Sequence, residues 1–149
     1  MAFDYLVANL KCFKCGNISK ADDSTNLQTY IFSNSEGNCY KVGSQVDLNL
    51  SEISDLSCFQ LNPVKGNDPV HLLETWECPQ CKEIMNWAEI VFHNNQILSI
   101  NAIELNSEVI SRCHFISDLC DSVAADVLGK NKQDLSDEET IETLKTKLK

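Results

Sequence analysis

The sequence predicts an α+β fold, a mainly antiparallel β module followed by two C-terminal helices, and three observations support this. Two short cysteine pairs, Cys12-Phe13-Lys14-Cys15 and Cys78-Pro79-Gln80-Cys81, bracket the first half of the chain. Between and after them, short segments alternate apolar and polar residues with period 2, as half-buried strands do. Beyond residue 106 the apolar spacing changes to steps of three and four, the period of a helix face.

Each cysteine pair has the two-residue spacing of a metal knuckle, in which a tight turn aims both thiolates at one point. Two knuckles supply the four sulfurs that tetrahedral Zn²⁺ takes in a structural site. Gly16 follows the first pair, where a knuckle turn often needs an unusual backbone angle, and Pro79 lies inside the second. The expected ligands are Cys12, Cys15, Cys78 and Cys81. Eight cysteines would suggest a disulfide framework in a small secreted chain. Here Met1-Ala2-Phe3-Asp4-Tyr5 lacks the basic start and apolar run of a secretion signal, and no stretch approaches the ~20 apolar residues of a membrane span. The expected compartment is the cytoplasm, where thiols stay reduced. A redox pair would open a helix after a strand, which neither segment suggests. The zinc-deaminase pattern of His-x-Glu before Pro-Cys-x-x-Cys is not met, since His71 and Glu74 are three apart. The 62 residues between Cys15 and Cys78 exceed the ~15–20 of a compact ribbon. A β segment inserted between the knuckles must therefore run out and return.

Along the chain, residues 1–11 read as a short strand or helix anchored by Phe3, Tyr5, Leu6, Val7 and Leu10. Strand composition marks 27–32, the Ser33–Asn38 cluster supplies turn chemistry, and Cys39–Val42 resumes a strand. Residues 45–50 alternate, 51–56 could form a helical turn capped by Ser51, and 58–61 is a brief strand. Pro63–Pro69 is a loop, and Val70–Glu77 leads into the second knuckle. Asn tolerates positive φ, so Asn94-Asn95 predicts a hairpin between 87–92 and 97–103, with Leu98, Ile100 and Ala102 on its buried face. Ser107 would cap a helix over 107–128 carrying Val109, Cys113, Ile116, Cys120, Val123 and Val127, closed by Gly129. Ser136 to Glu139 is a capping box for a last helix with Ile141, Leu144 and Leu148. Cys39, Cys58, Cys113 and Cys120 are expected to be buried apolar residues. The organisation predicted is a zinc-ribbon β domain over 1–106, with a long insertion between knuckles, and a helical segment over 107–149 packed on it. Residues 130–149 are expected to sit more loosely.

Charge narrows the function. The chain of 149 residues carries a formal net charge of −10. Residues 21–128 hold 16 acids against Lys41, Lys65, Lys82 and Arg112, a net of −12. Such a surface repels phosphate backbones, so direct nucleic-acid binding is not expected, whereas a basic protein would be attracted and its encounter speeded. Enzyme chemistry is not indicated. No phosphate-binding glycine loop, His-Glu-x-x-His or Gly-x-Ser-x-Gly occurs. His71, His93 and His114 lie in different elements, with no carboxylate at a telling spacing.

The order of aromatic/Lys-Cys-x-x-Cys-Gly, polar strands, Tyr40-Lys-Val-Gly-Ser-Gln-Val46, Trp76-x-Cys-Pro-x-Cys and a hairpin resembles small bacterial split zinc-ribbon proteins. Some of these are immunity proteins of polymorphic toxin systems. The resemblance spans roughly residues 10–104 and leaves the C-terminal helices outside. It implies a zinc-stabilised β module and inhibition of a toxin by direct binding. Two functions are therefore expected to compete, with an enzyme of unrecognised type as a third reading. One is an immunity-type inhibitor whose acidic face blocks a basic toxin or nuclease. The other is a zinc-ribbon accessory protein of transcription or another nucleic-acid machine, acting through protein contacts.

Overall fold

The computed structural model describes residues 3–20, 23–29, 32, 37–48, 59–61, 68–83, 86–112, 115–116, 129 and 134–147. Its elements are β1 (Asp4–Leu6), β2 (Gln28–Thr29), β3 (Cys39–Tyr40), β4 (Phe59–Gln60), β5 (Val70–Trp76), β6 (Asn86–His93), β7 (Gln96–Ile103), α1 (Ser107–Ser111), β8 (Phe115–Ile116) and α2 (Asp137–Lys147). The α+β class, with two C-terminal helices, is as predicted. Among the described residues, no helix is long and apolar enough to cross a membrane.

Two sheets form. The larger is antiparallel throughout, in the order β7-β6-β5-β4-β8. The smaller runs β2-β1-β3, with β2 antiparallel and β3 parallel to β1. Period-2 alternation sends side chains of the large sheet to opposite faces, and each face has its own core. Val70, Leu72, Trp76, Ala88, Ile90, Phe92, Ile97 and Ile100 point to the first face, where Leu6, Leu10 and Leu27 of the small-sheet region meet them. Leu73 and Trp87 point the other way and pack with Leu61, Ile110 of α1 and Leu144 of α2. The indole N–H of Trp76 stays buried because it donates to the Trp87 carbonyl at 3.0 Å.

The β6–β7 hairpin forms as predicted, with Asn94 and Asn95 at φ 53° and 60°, the left-handed pair of a two-residue turn. Its buried face is as predicted at Ile100 and Ala102 but not at Leu98. Val91 pairs with Ser99 but Phe92 pairs with Ile97, so Leu98 is an extra residue, a β-bulge that re-aims the strand. Ile97 is buried and Leu98 exposed as a result. In the 45–50 segment the alternation of burial holds, with Val46 inside and Gln45 and Asp47 outside. Among the described residues, the chain there makes isolated bridges, Gln45 to Gln96 and Leu48 to Phe32.

The C-terminal half departs most. Among the described residues, the expected 107–128 helix is the five-residue α1, capped by Asn106 rather than Ser107. The Asn106 Oδ1 accepts from the Val109 N–H at 3.0 Å, and Arg112 ends the helix. Phe115 and Ile116 then form β8 and pair with Gln60 and Phe59 of β4. Ile116 is thus a strand residue, because pairing with a sheet edge outweighs a weak helical stripe. The Ser136 cap is present, its hydroxyl oxygen accepting from the Glu139 N–H at 3.2 Å. The last helix is anchored rather than loose, since Leu144 is 1% exposed. Cys39, expected inside, is exposed: β3 is an edge strand and turns this side chain outward. Cys58, Cys113, His114, Cys120, Val123, Val127, Leu148 and the Ser51–Leu56 turn lie outside the described residues.

Candidate metal centre

The four predicted cysteines converge. The Sγ atoms of Cys12, Cys15, Cys78 and Cys81 all lie within 4.8 Å of one another. Cys12 to Cys81 and Cys15 to Cys78 are each 3.7 Å. Four sulfurs held ~2.3 Å from one tetrahedral centre must stand ~3.8 Å apart, whereas a disulfide brings two to ~2.05 Å. All four are free thiols. The donor set and spacing fit a metal ion: the four sulfurs could hold one at their centre and leave no protein ligand to spare.

The two knuckles are built alike, and their turns explain how. In the first, the Gly16 N–H donates to the Cys12 carbonyl at 2.8 Å, and the Cys12 N–H donates to the Asn17 carbonyl at 2.8 Å. In the second, the Lys82 N–H donates to the Cys78 carbonyl at 3.0 Å, and the Cys78 N–H donates to the Glu83 carbonyl at 2.9 Å. These paired bonds close the turn only if the residue after the second cysteine is left-handed. Gly16 has φ 80° and Lys82 has φ 65°. Within the second turn the Cys81 N–H also donates to the Cys78 sulfur at 3.5 Å.

Placement of the knuckles resolves the long insertion. The first follows β1 after Leu10, and the second occupies the turn between β5 and β6. A short bond from the Glu77 N–H to the Thr25 carbonyl, 2.7 Å, stitches the end of β5 to the segment before β2. The inserted strands run out through the small sheet and return along β5. Cys12 and Cys78 are fully buried in the first core, Cys81 is half-buried and Cys15 exposed.

Three further residues tie the knuckles together, and sequence reasoning missed them. Asn86, 7% exposed, accepts from the Cys12 thiol at 3.7 Å and donates its amide to the Glu83 carbonyl at 3.1 Å. Lys14 and Glu83 form an ion pair across the two turns at 2.9 Å, and Glu83 raises the Lys14 pKa through that hydrogen bond and its charge. An exposed pair of this kind contributes little to stability. Lys82 had a signal: laying Cys78–Glu83 on Cys12–Asn17 puts it on Gly16.

Without a cation, Cys12 and Cys81 shift in opposite directions. Burial pushes Cys12 up, but backbone N–H groups of Cys15 and Lys14 and the thiols of Cys81 and Cys15 outweigh it and bring it to about 6. At Cys81 the Glu83 N–H acts downward, while burial and the other three thiols raise it to about 11. A divalent ion at the centre would displace the remaining protons.

Of the histidines, His71 Nδ1 lies 3.0 Å from Glu89 Oε2 on the neighbouring strand, a cross-strand pair that linear spacing does not reveal. The chain has no significant match to any family model, curated protein or solved structure.

Proposed function

We propose that the chain is a zinc-stabilised acidic protein-binding module, an immunity-type inhibitor that neutralises a basic toxin or nuclease by direct contact. The observation that carries this reading is the closed four-sulfur centre at the seam of two sheets, with Cys12 and Cys78 buried. Zn²⁺ held by four thiolates has no open position for a substrate and acts as a structural clamp. Two halves that meet at one clamp make a rigid scaffold, and a rigid scaffold can offer its surface to a partner without ordering costs. The net charge of −10 selects a basic partner. The free thiols suit a reducing compartment, which agrees with the cytoplasm.

Affinity capture from the native host, followed by mass spectrometry of the bound proteins, tests the proposal. A single basic protein should be recovered in stoichiometric amount, and its association rate should fall as salt rises, because steering by exposed charge is screened over ~8 Å at physiological ionic strength. Specific binding of DNA or RNA at physiological salt would overturn the reading.

A further inference from the structure

Where the Lys41–Leu48 loop crosses the tip of the β6–β7 hairpin, an open pocket of about 440 Å³ is lined by Phe32, Tyr40, Gln45, Val46, Asp47 and Asn95. Its floor is aromatic. Phe32, 6% exposed, meets Tyr40 edge to face at 5.0 Å and Phe92 at 6.1 Å. Its rim is acidic. Asp47 is exposed, and among the described residues it has no ion pair and no Lys, Arg or His lines the cavity. Its walls are fixed by backbone bonds from the Val46 N–H to the Asn95 carbonyl at 2.8 Å and from the Gly43 N–H to the Ile97 carbonyl at 2.8 Å. The Ile97 N–H returns a bond to the Ser44 carbonyl at 3.0 Å.

We infer that this pocket receives an arginine side chain of the partner protein. The inference rests on the proposed protein-binding role and names the contact point. A planar guanidinium is weakly hydrated, stacks on ring faces and pairs with a carboxylate through two parallel N–H bonds. Tyr40, backed edge to face by the buried Phe32, supplies the ring, Asp47 the carboxylate, and Gln45 a side-chain amide oxygen. A lysine ammonium is more strongly hydrated and lacks the planar fork, so it gains less from the aromatic floor. The pocket beside β1, about 390 Å³ and lined in part by Tyr5, Asp23 and Cys39, differs in a decisive respect. Its acid is engaged, because Asp23 Oδ2 accepts from the Lys20 N–H at 2.8 Å.

The test uses the zinc-loaded full-length chain, labelled with ¹⁵N and titrated with N-acetyl-arginine amide. The neutral citrulline counterpart and N-acetyl-lysine amide serve as competitors. Amide shifts should saturate together at Tyr40, Gln45, Asp47 and Asn95. Affinity should fall about tenfold for citrulline and for Asp47→Asn, as expected for loss of a charge-assisted bidentate pair. Tyr40→Leu, which keeps an apolar side chain on the core, should weaken binding while Asp23→Asn leaves it unchanged. Equal binding of citrulline, tighter binding of lysine, or shifts scattered over the acidic surface would overturn the inference. If a basic protein is captured from the host but binds Asp47→Asn as tightly as the parent, the pocket fails and the protein-binding role stands. If the arginine probe saturates the pocket but no basic protein is captured, the role fails and the pocket stands.

Discussion

The second knuckle places a lysine where the first has a glycine, and exchanging that backbone freedom should change metal binding in opposite directions. Lys82 at φ 65° occupies the left-handed region, which costs an L-residue ~1–2 kcal/mol. Replacing it with Gly removes that cost and adds back ~0.5–1 kcal/mol of chain entropy, for a net gain of ~0.5–1 kcal/mol. Lys82 is exposed and forms no ion pair among the described residues, so little packing is lost. Its positive charge near a four-sulfur centre is a separate effect, which Lys82→Ala isolates by removing the charge while keeping the strain. The comparison that matters is therefore Lys82→Gly against Lys82→Ala. The mirror experiment is Gly16→Ala. A Cβ built on Gly16 meets nothing within 4 Å, so that substitution adds conformational strain alone and should destabilise by a similar ~0.5–1 kcal/mol.

Because a knuckle site forms only as the chain folds, these energies appear in metal affinity. At ~1.4 kcal/mol per tenfold, the expected change is roughly two- to fivefold in apparent Kd for zinc, measured by competition with a chromogenic chelator. Urea unfolding of the loaded protein should move in step. Lys82→Gly binding zinc no more tightly than Lys82→Ala, or Gly16→Ala behaving as the parent, would refute the equivalence of the two turns.

Two further outcomes follow from the packing. The purified chain should hold one zinc per molecule by metal analysis, and Cys78→Ser should lose the zinc and the part of the unfolding transition that belongs to the small sheet, since structural zinc supplies ~10–16 kcal/mol of apparent binding energy. Leu144→Ala should cost ~2–4 kcal/mol in urea unfolding with zinc content unchanged, because Leu144 is buried among Leu61, Leu73, Trp87 and Ile110; a cost near zero would mean the last helix is not part of the second core.

What the sequence revealed and what it hid divide along a physical line. Local chemistry was legible. Thiolate spacing, the Asn94-Asn95 turn, the run into the second knuckle and the Ser136 cap each depend on a few neighbouring residues, and each formed. Decisions made by partners distant in the chain were not legible. The 107–128 stripe reads as helix until Ile116 finds Phe59, a pairing across 56 intervening positions. The bulge at Leu98 is a property of two strands together, and alternation along one strand cannot show it. Cys39 is apolar enough to be buried, but its side faces outward because β3 ends its sheet. Asn86 and His71 gain their contacts only when β5 and β6 align.

The position of the metal centre follows from the same topology and decides what it stabilises. The small sheet contributes three strands of two or three residues each, too few to be stable alone. It is held by two things, the apolar face of β5 and β6, and the clamp where Cys12 and Cys15 meet Cys78 and Cys81. The large sheet has a second core on its other face, with Trp87, Ile110 and Leu144, and that core contains no ligand. Removal of the metal should therefore act unequally. The small sheet loses its tether and the loops around Tyr40 and Asp47 lose their backing, while β5, β6, β7 and α2 keep theirs. On this argument the sulfur centre serves the surface that the inserted segment builds.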